Sequence, residues 1–348
     1  MNDMNLAQIM EALASSQPAA PAIHVPGRST LRYADLGAHI RYVRERLSGW
    51  GIQPGDVVGG AIPSRPEMAV AIATLPSSCT FAPLDPSLPS EAYAELLTRM
   101  RAKAVLVTSG DEHAIRVAAR VLGLAEIDVT PEQDAPAGLF TLTLTRGGPA
   151  LADGHSGDPR LAYILTSSGT TGRPKLVPTE HRAVLCYARA ICDWLDLTPS
   201  DVGIHITPVY LGNGLRSGLM NALLAGRSLA LLPVADIDSL FASIERFRPT
   251  FLTANFSIFR GILRRAPEFR AVVTQHRFRF MRWAGRVDLE DADRLEQLFE
   301  APMLTGLSST ETSRISHDPL PPQRRKRGSV GLPVTNEVAL LDGAGNIL

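Results

Sequence analysis

Ten residues, Thr166-Ser167-Ser168-Gly169-Thr170-Thr171-Gly172-Arg173-Pro174-Lys175, could bind an anion. Glycine accepts positive φ and puts no Cβ in the way, so such a segment can turn successive backbone N–H groups inward. Inward N–H groups form a concavity for an anion, and short hydroxyls add donors. Lys175 supplies a compact positive charge at the end. The chemistry offered is that of a phosphate cradle. An ordinary Ser/Gly surface loop is the alternative. The string is not the common G-x-x-x-x-G-K-[ST] loop, because Arg173 and Pro174 separate Gly172 from Lys175 and no Ser or Thr follows.

A second group of residues with chemical potential is Gly306-Leu307-Ser308-Ser309-Thr310-Glu311-Thr312. Read alone, Ser-Ser-Thr-Glu-Thr suits a helix N-terminus with a capping box. Taken with the cradle, T-S-S-G-T-T-G-R-P-K resembles the signature of the adenylate-forming superfamily: acyl-CoA synthetases, luciferases and the adenylation domains of peptide synthetases. The resemblance runs along the chain in order, through Pro83-Leu84-Asp85-Pro86, Pro249-Thr250-Phe251 and Gly328-Ser329-Val330-Gly331-Leu332-Pro333. It implies that Thr166, Ser167, Ser168, Gly169, Thr170, Thr171, Gly172 and Lys175 hold the ATP phosphates. It also implies that Gly306, Leu307, Ser308, Ser309 and Thr310 border the nucleotide, with Thr310 at the α-phosphate. Thr170 and Glu311 would then serve Mg²⁺, and Lys175, Thr310 and Glu311 would be the catalytic set. A carboxylate suits Mg²⁺, which prefers hard oxygens.

Departures from the family pattern are equally informative. Leu307 stands where an aromatic would cover adenine, at a cost of about 1 kcal/mol of stacking. Ser308 replaces a glycine. Ala284-Gly285-Arg286-Val287-Asp288-Leu289 replaces a G-G-A-P-L type string, bringing Gly285 and Arg286 to the nucleotide or acid pocket. Arg286 there either pairs a carboxylate or phosphate or points to solvent. Tyr210, Leu211 and Asn213 fall in the segment expected to line the acid pocket, together with Gly285, and Asn213 before Gly214 also suits a turn. Adenylation domains for α-amino acids carry an aspartate in this region, whereas no acid lies between Asp201 and Asp236. The expected substrate is therefore an acyl or aryl acid. Family members continue into a β-barrel, a hinge and a mobile lid domain bearing a catalytic lysine. None is recognisable before Leu348, so the expectation is a fragment of a longer enzyme or a shortened relative.

The elements that must position these residues follow from alternation. Apolar runs at 57–62, 80–83 and 104–107 alternate with helical stretches at 67–75, 90–100 and 111–122. A strand at 161–165 precedes the cradle, a helix is expected near 179–195, a strand at 203–206, and further pairs run to 304. The N-terminal part reads as a helix over 1–15, a β pair at 22–25 and 30–33, and a helix from Leu36. Alternation of this kind predicts an α/β protein with mostly parallel, helix-covered sheets. The resemblance refines this to two stacked subdomains in αβαβα layers, about 52–180 and 1–51 plus 181–340, within one N-terminal core over 1–348, the final β-barrel subdomain incomplete. The Gly- and Pro-rich region 130–159 is linker-like, with one alternating strand around Phe140, Leu142 and Leu144.

With 348 residues, 45% hydrophobic and 20% charged, the chain is an ordinary globular protein. Zero net charge gives no reason to expect nucleic acid. No apolar run approaches membrane-spanning length. Three cysteines, Cys79, Cys186 and Cys192, suggest neither a disulfide frame nor zinc. The expected location is cytoplasmic. Arg324-Arg325-Lys326-Arg327 reads as a solvated loop. On the resemblance, the expected activity is an AMP-forming acid–thiol ligase using ATP and Mg²⁺. Its partners would be a carboxylic acid and coenzyme A, or else the phosphopantetheine of an acyl carrier protein. A non-catalytic nucleotide- or acid-binding relic is the rival reading, and little activity is expected of this chain alone.

Overall fold

The computed structural model describes residues 5–63, 66–147, 157–167, 174–284, 288–334 and 337–348. Strands β1 (Pro21–His24) and β2 (Leu31–Arg32) pair antiparallel near the N-terminus. The next seven build one sheet: β3 (Val57–Ala61), β4 (Thr80–Pro83), β5 (Ala102–Thr108), β6 (Ala125–Pro131), β7 (Phe140–Arg146), β8 (Leu161–Ser167) and β9 (Lys175–Glu180). Their spatial order is β7-β6-β5-β3-β4-β8-β9. The middle pairings are parallel, and only the edge strands β7 and β9 run against their neighbours. A second sheet collects β10 (Val202–His205), β11 (Ser228–Leu231), β12 (Phe251–Asn255), β13 (Phe280–Ala284) and β14 (Met303–Leu304) with the N-terminal pair. Its order is β14-β13-β12-β10-β11-β1-β2.

Strands covered on both faces become continuous apolar runs. Every residue of β3, β4 and β11 is buried. One apolar cluster joins the two sheets, taking Ile23 and Leu229 from one and Val58, Phe81 and Leu165 from the other. The helices Leu6–Ser16, Tyr33–Gly49 and Pro66–Thr74 contribute Met10, Ile40 and Met68 to it. The opposite face of the first sheet is covered by helices Ser90–Arg99 and Ala114–Leu122, through Leu97 and Ile115. Helices Ile237–Phe247, Phe256–Arg265 and Leu289–Phe299 cover that of the second, through Phe241, Phe259 and Leu295. The result is the α/β architecture of two parallel-rich, helix-covered sheets, with no closed barrel among the described residues.

Local chemistry sets the helix starts. Asn5 and Gln8 form a reciprocal capping box, and Asp236, Asn255 and Asp288 each accept backbone N–H bonds at the head of a helix. Two expectations need correction. The helix expected near residue 179 is His181–Trp194, because β9 continues through Glu180 and Thr179 still pairs with Tyr163. The basic run is not wholly solvated: Arg325 pairs Glu296 at 2.6 Å and donates to the Met303 carbonyl, and Arg327 pairs Asp293.

Candidate active site

Ligand sites in open α/β sheets gather where the chain leaves the carboxyl ends of parallel strands. Both candidate segments do so. Thr166 and Ser167 end β8, and Lys175 opens β9 directly opposite Ser167. Ser168, Gly169, Thr170, Thr171 and Gly172 lie outside the described residues, as do Gly285 and Arg286 beyond the end of β13. The second segment leaves β14 and folds into a hairpin of β15 (Ser308–Ser309) and β16 (Ser313–Arg314). It is not the helix start that its sequence suits in isolation. Thr310, Glu311 and Thr312 form the turn, and Ser313 takes a positive φ of 60°, a conformation uncommon for a residue with a Cβ. Thr312 donates its N–H to the Ser309 hydroxyl at 3.0 Å. Gly306 is required by close approach, since a Cβ there would run into the Ser316 carbonyl oxygen and the Arg314 guanidinium.

The hairpin turn and the start of β9 meet. Lys175 Nζ lies 3.8 Å from Glu311 Oε1, and both side chains are about half exposed, 57% and 46%. Its own backbone amide, then the Ser309 hydroxyl and the Lys175 and Arg216 charges, hold the Glu311 carboxyl below the ordinary glutamate range. Glu311 is therefore ionised at neutral pH. Leu307 is exposed beside the hairpin.

A π-helical turn, Gly214–Met220, faces the hairpin from the other side. Such turns recur at functional sites. Its entry needs Gly214, where a Cβ would strike the Pro208 carbonyl. Arg216 donates Nη2 to the carbonyl oxygens of Thr310 at 2.8 Å and Ser309 at 3.2 Å. Gly212 approaches Leu165 and Thr310, so β8, the π-turn and the hairpin converge. Between the last two lies a cavity of about 240 Å³, lined by residues including Tyr187, Asn213, Arg216, Ser217, Thr310 and Ser313. Of the expected pocket residues Asn213 lines it, along with Ser308, Ser309 and Thr310, whereas Tyr210 and Leu211 do not. Leu211 is exposed. Burial and then the nearby Asp85 push the Tyr210 phenol up.

Sequence reasoning passed over Tyr187, Arg216, Ser217 and Arg282. Arg216 is the lone charge in the apolar run Leu215 to Met220, and that isolation was a usable signal. The Tyr187 hydroxyl bonds the Ser217 hydroxyl. Burial raises the Tyr187 phenol, but Arg314 and Arg282 outweigh it and the net displacement is downward. Arg282, in β13, donates Nε to His317 Nε2 at 3.3 Å. His317 therefore carries its proton on Nδ1, which donates to the Asp318 carbonyl at 2.7 Å.

The family model described as AMP-binding enzyme matches residues 10–348. The chain is 29% identical over 361 residues to an oxalate–CoA ligase of Arabidopsis thaliana, covering 100% of this chain and 69% of that protein. It is 26% identical over 308 residues to nonribosomal peptide synthetase 8 of Aspergillus fumigatus, covering 82% of this chain and 3% of that protein. The ATP-bound crystal structure of MatB from Rhodopseudomonas palustris superposes with a TM-score of 0.82 at 24% identity, covering 99% of this chain and 68% of that one. This last likeness establishes the shared fold. No helix among the described residues is long and apolar enough to cross a membrane.

Proposed function

The chain belongs to the AMP-binding enzyme family, and we propose that it is the core that activates a carboxylic acid with ATP and passes the acyl group to coenzyme A. The acid's carboxylate oxygen attacks the α-phosphorus and the bond from that phosphorus to the bridging oxygen breaks. Acyl-AMP and pyrophosphate result. A thiolate then attacks the acyl carbon and AMP leaves, giving the thioester. The observation that carries this reading is the meeting of Lys175 with Glu311 beside Thr310, two segments 136 positions apart in sequence brought within ion-pair distance. Their mutual contact is long and solvent-exposed, so a polyphosphate and its cation can replace it at little cost.

Lys175, with Thr166 through Gly172, is assigned to the β- and γ-phosphates, and the Thr310 hydroxyl to the α-phosphate. Catalysis is then mostly positioning and charge stabilisation. Glu311, ionised and accessible, fits Mg²⁺ together with Thr170; the metal would neutralise charge on the phosphate oxygens. Among the described residues no three His, Cys, Asp or Glu could cage a metal, which suits an ion held by one carboxylate and substrate phosphates. Gly285, Arg286, Gly306, Leu307 and Ser308 are assigned to the nucleotide border. We assign the halves 52–180 and 1–51 plus 181–340 to two subdomains, and the working location to the cytoplasm. Loading of a carrier-bound phosphopantetheine thiol is the second reading, favoured by the similarity to the nonribosomal peptide synthetase.

Calorimetric titration with ATP–Mg²⁺ and acid-dependent exchange of labelled pyrophosphate into ATP test the proposal. Saturable ATP–Mg²⁺ binding is expected, with exchange that needs an acid and runs slowly in this chain. A chain that binds no ATP–Mg²⁺ would sink it.

A further inference from the structure

The cavity between the π-turn and the hairpin is walled by positive charge that no carboxylate among the described residues contacts directly. Arg216 is only 5% exposed. One of its nitrogens is committed to the hairpin carbonyls, and it forms no ion pair with a described carboxylate. Beside Tyr187 lies Arg282, 1% exposed, which interacts with the Tyr187 hydroxyl and meets no carboxylate among the described residues. The groups acting on the Arg282 charge are Arg314, Tyr187 and Arg227, two of them cations.

Burying a guanidinium without a carboxylate is expensive, because water's stabilisation is lost and nothing replaces it. Desolvation lowers Arg282 only to about 10, so it remains cationic at neutral pH. The same sheet pairs a buried carboxylate when structure alone is at stake: Arg279 meets Asp201 at 2.6 Å. Around the cavity no such pair is found among the described residues, yet Arg216, Tyr187, Ser217 and Asn213 all line it. A monocarboxylic acid brings one negative charge, and that charge is engaged at the α-phosphate.

We propose that this cavity is the acid pocket and that it takes a carboxylic acid carrying a second anionic group, most simply a short dicarboxylic acid. Arg216 receives the second carboxylate, with the Tyr187 and Ser217 hydroxyls as further partners and Arg282 as the charge behind them. At about 240 Å³ the space lies below the usual range for drug-sized ligands and suits a small acid. The inference rests on the acid-activating reading above and narrows its substrate.

The experiment compares matched pairs, malonate with propionate and succinate with butyrate, by calorimetry on the full chain with ATP–Mg²⁺ present. The dicarboxylate of each pair should bind about tenfold tighter or better, the scale of a desolvated charge pair. Arg216→Met should bring the ratio of diacid to monoacid affinity close to one, and Arg216→Lys should restore part of it. Equal binding of both members of each pair by the unaltered chain would overturn the inference, and needs no variant to fold. Titration with ATP–Mg²⁺ alone keeps the two readings apart. Nucleotide binding without diacid preference removes only the second carboxylate. Diacid preference lost in Arg216→Met, but without nucleotide binding, leaves an anion pocket and removes the adenylation.

Discussion

The two sheets differ in how completely they pair buried charge: the half of β10 to β14 closes Arg279 on Asp201 but leaves other buried arginines without a carboxylate among the described residues. In the sheet of β3 to β9, charges taken out of water are closed on one another. Asp56, its side chain fully buried, holds Lys103 at 2.7 Å, and Arg116 bridges Glu126 at 3.2 Å and Asp128 at 2.8 Å. In the other half Arg216, Arg227 and Arg282 are as deeply buried and have no described carboxylate in contact. Closed pairs fix a fold. An open charge beside a cavity, as at Arg216, is a cost that a ligand can offset, and that difference separates scaffold from site in this molecule.

Acidification should strain both halves together and gives the largest effect. His39, packed edge-on to Phe140 of β7, and His205, in β10, are each held down to about 4 by burial. The unfolded chain binds more protons than the folded one between pH 4 and the ordinary value of 6.5. Stability from each is therefore whole above 6.5 and falls with pH toward 4, by about 1.4 kcal/mol per pH unit per residue. Urea unfolding at pH 7 and pH 5 checks this, with His39→Asn and His205→Asn each flattening the slope. A slope moved by one variant and not the other would mean the halves unfold separately.

Arg116→Met attacks the closed network. Glu126 would keep Arg120 and Arg146, but Asp128 would be left with only the Thr145 hydroxyl, which should cost about 3 kcal/mol in urea unfolding, with ATP–Mg²⁺ affinity unchanged. Lys175→Ala attacks the site instead. ATP–Mg²⁺ binding should weaken by about 2 kcal/mol while the unfolding midpoint stays put; an unchanged affinity would dismiss the cradle's lysine. Arg282→Met is the mirror of the first substitution. Because it removes a buried cation that has no carboxylate, unfolding should shift by less than about 1 kcal/mol, or toward greater stability. A loss matching that of Arg116→Met would erase the contrast between the halves.

The scaffold was legible because parallel strands buried on both faces must be largely apolar. Val57 to Ala61 and Ala102 to Thr108 could hardly be anything else once helices were seen between them. Lys175 and Glu311 were legible as strings of residue types. The π-turn was not, because an extra residue in a helical turn leaves no period to read. Arg282 was hidden for another reason. In the run Phe280 to Ala284 an arginine looks like the polar member of an alternating strand, and only the helix-covered second face reveals that it is buried. The Ser309–Thr312 hydrogen bonds explain the hairpin after the fact, since the same hydroxyls cap helices elsewhere.

The pairing of Ser167 with Lys175 across β8 and β9 has a consequence for how this protein can vary. A sheet edge clamps both ends of the intervening seven residues, whatever their number or kind. Doubling the length of chain between fixed ends costs only about 0.6 kcal/mol of closure entropy. Folding therefore exerts almost no pressure on the length of that segment. Insertions there should pass unnoticed by any screen for expression or solubility and be caught only by one for nucleotide binding, which makes this edge the natural place to graft recognition of a different anion.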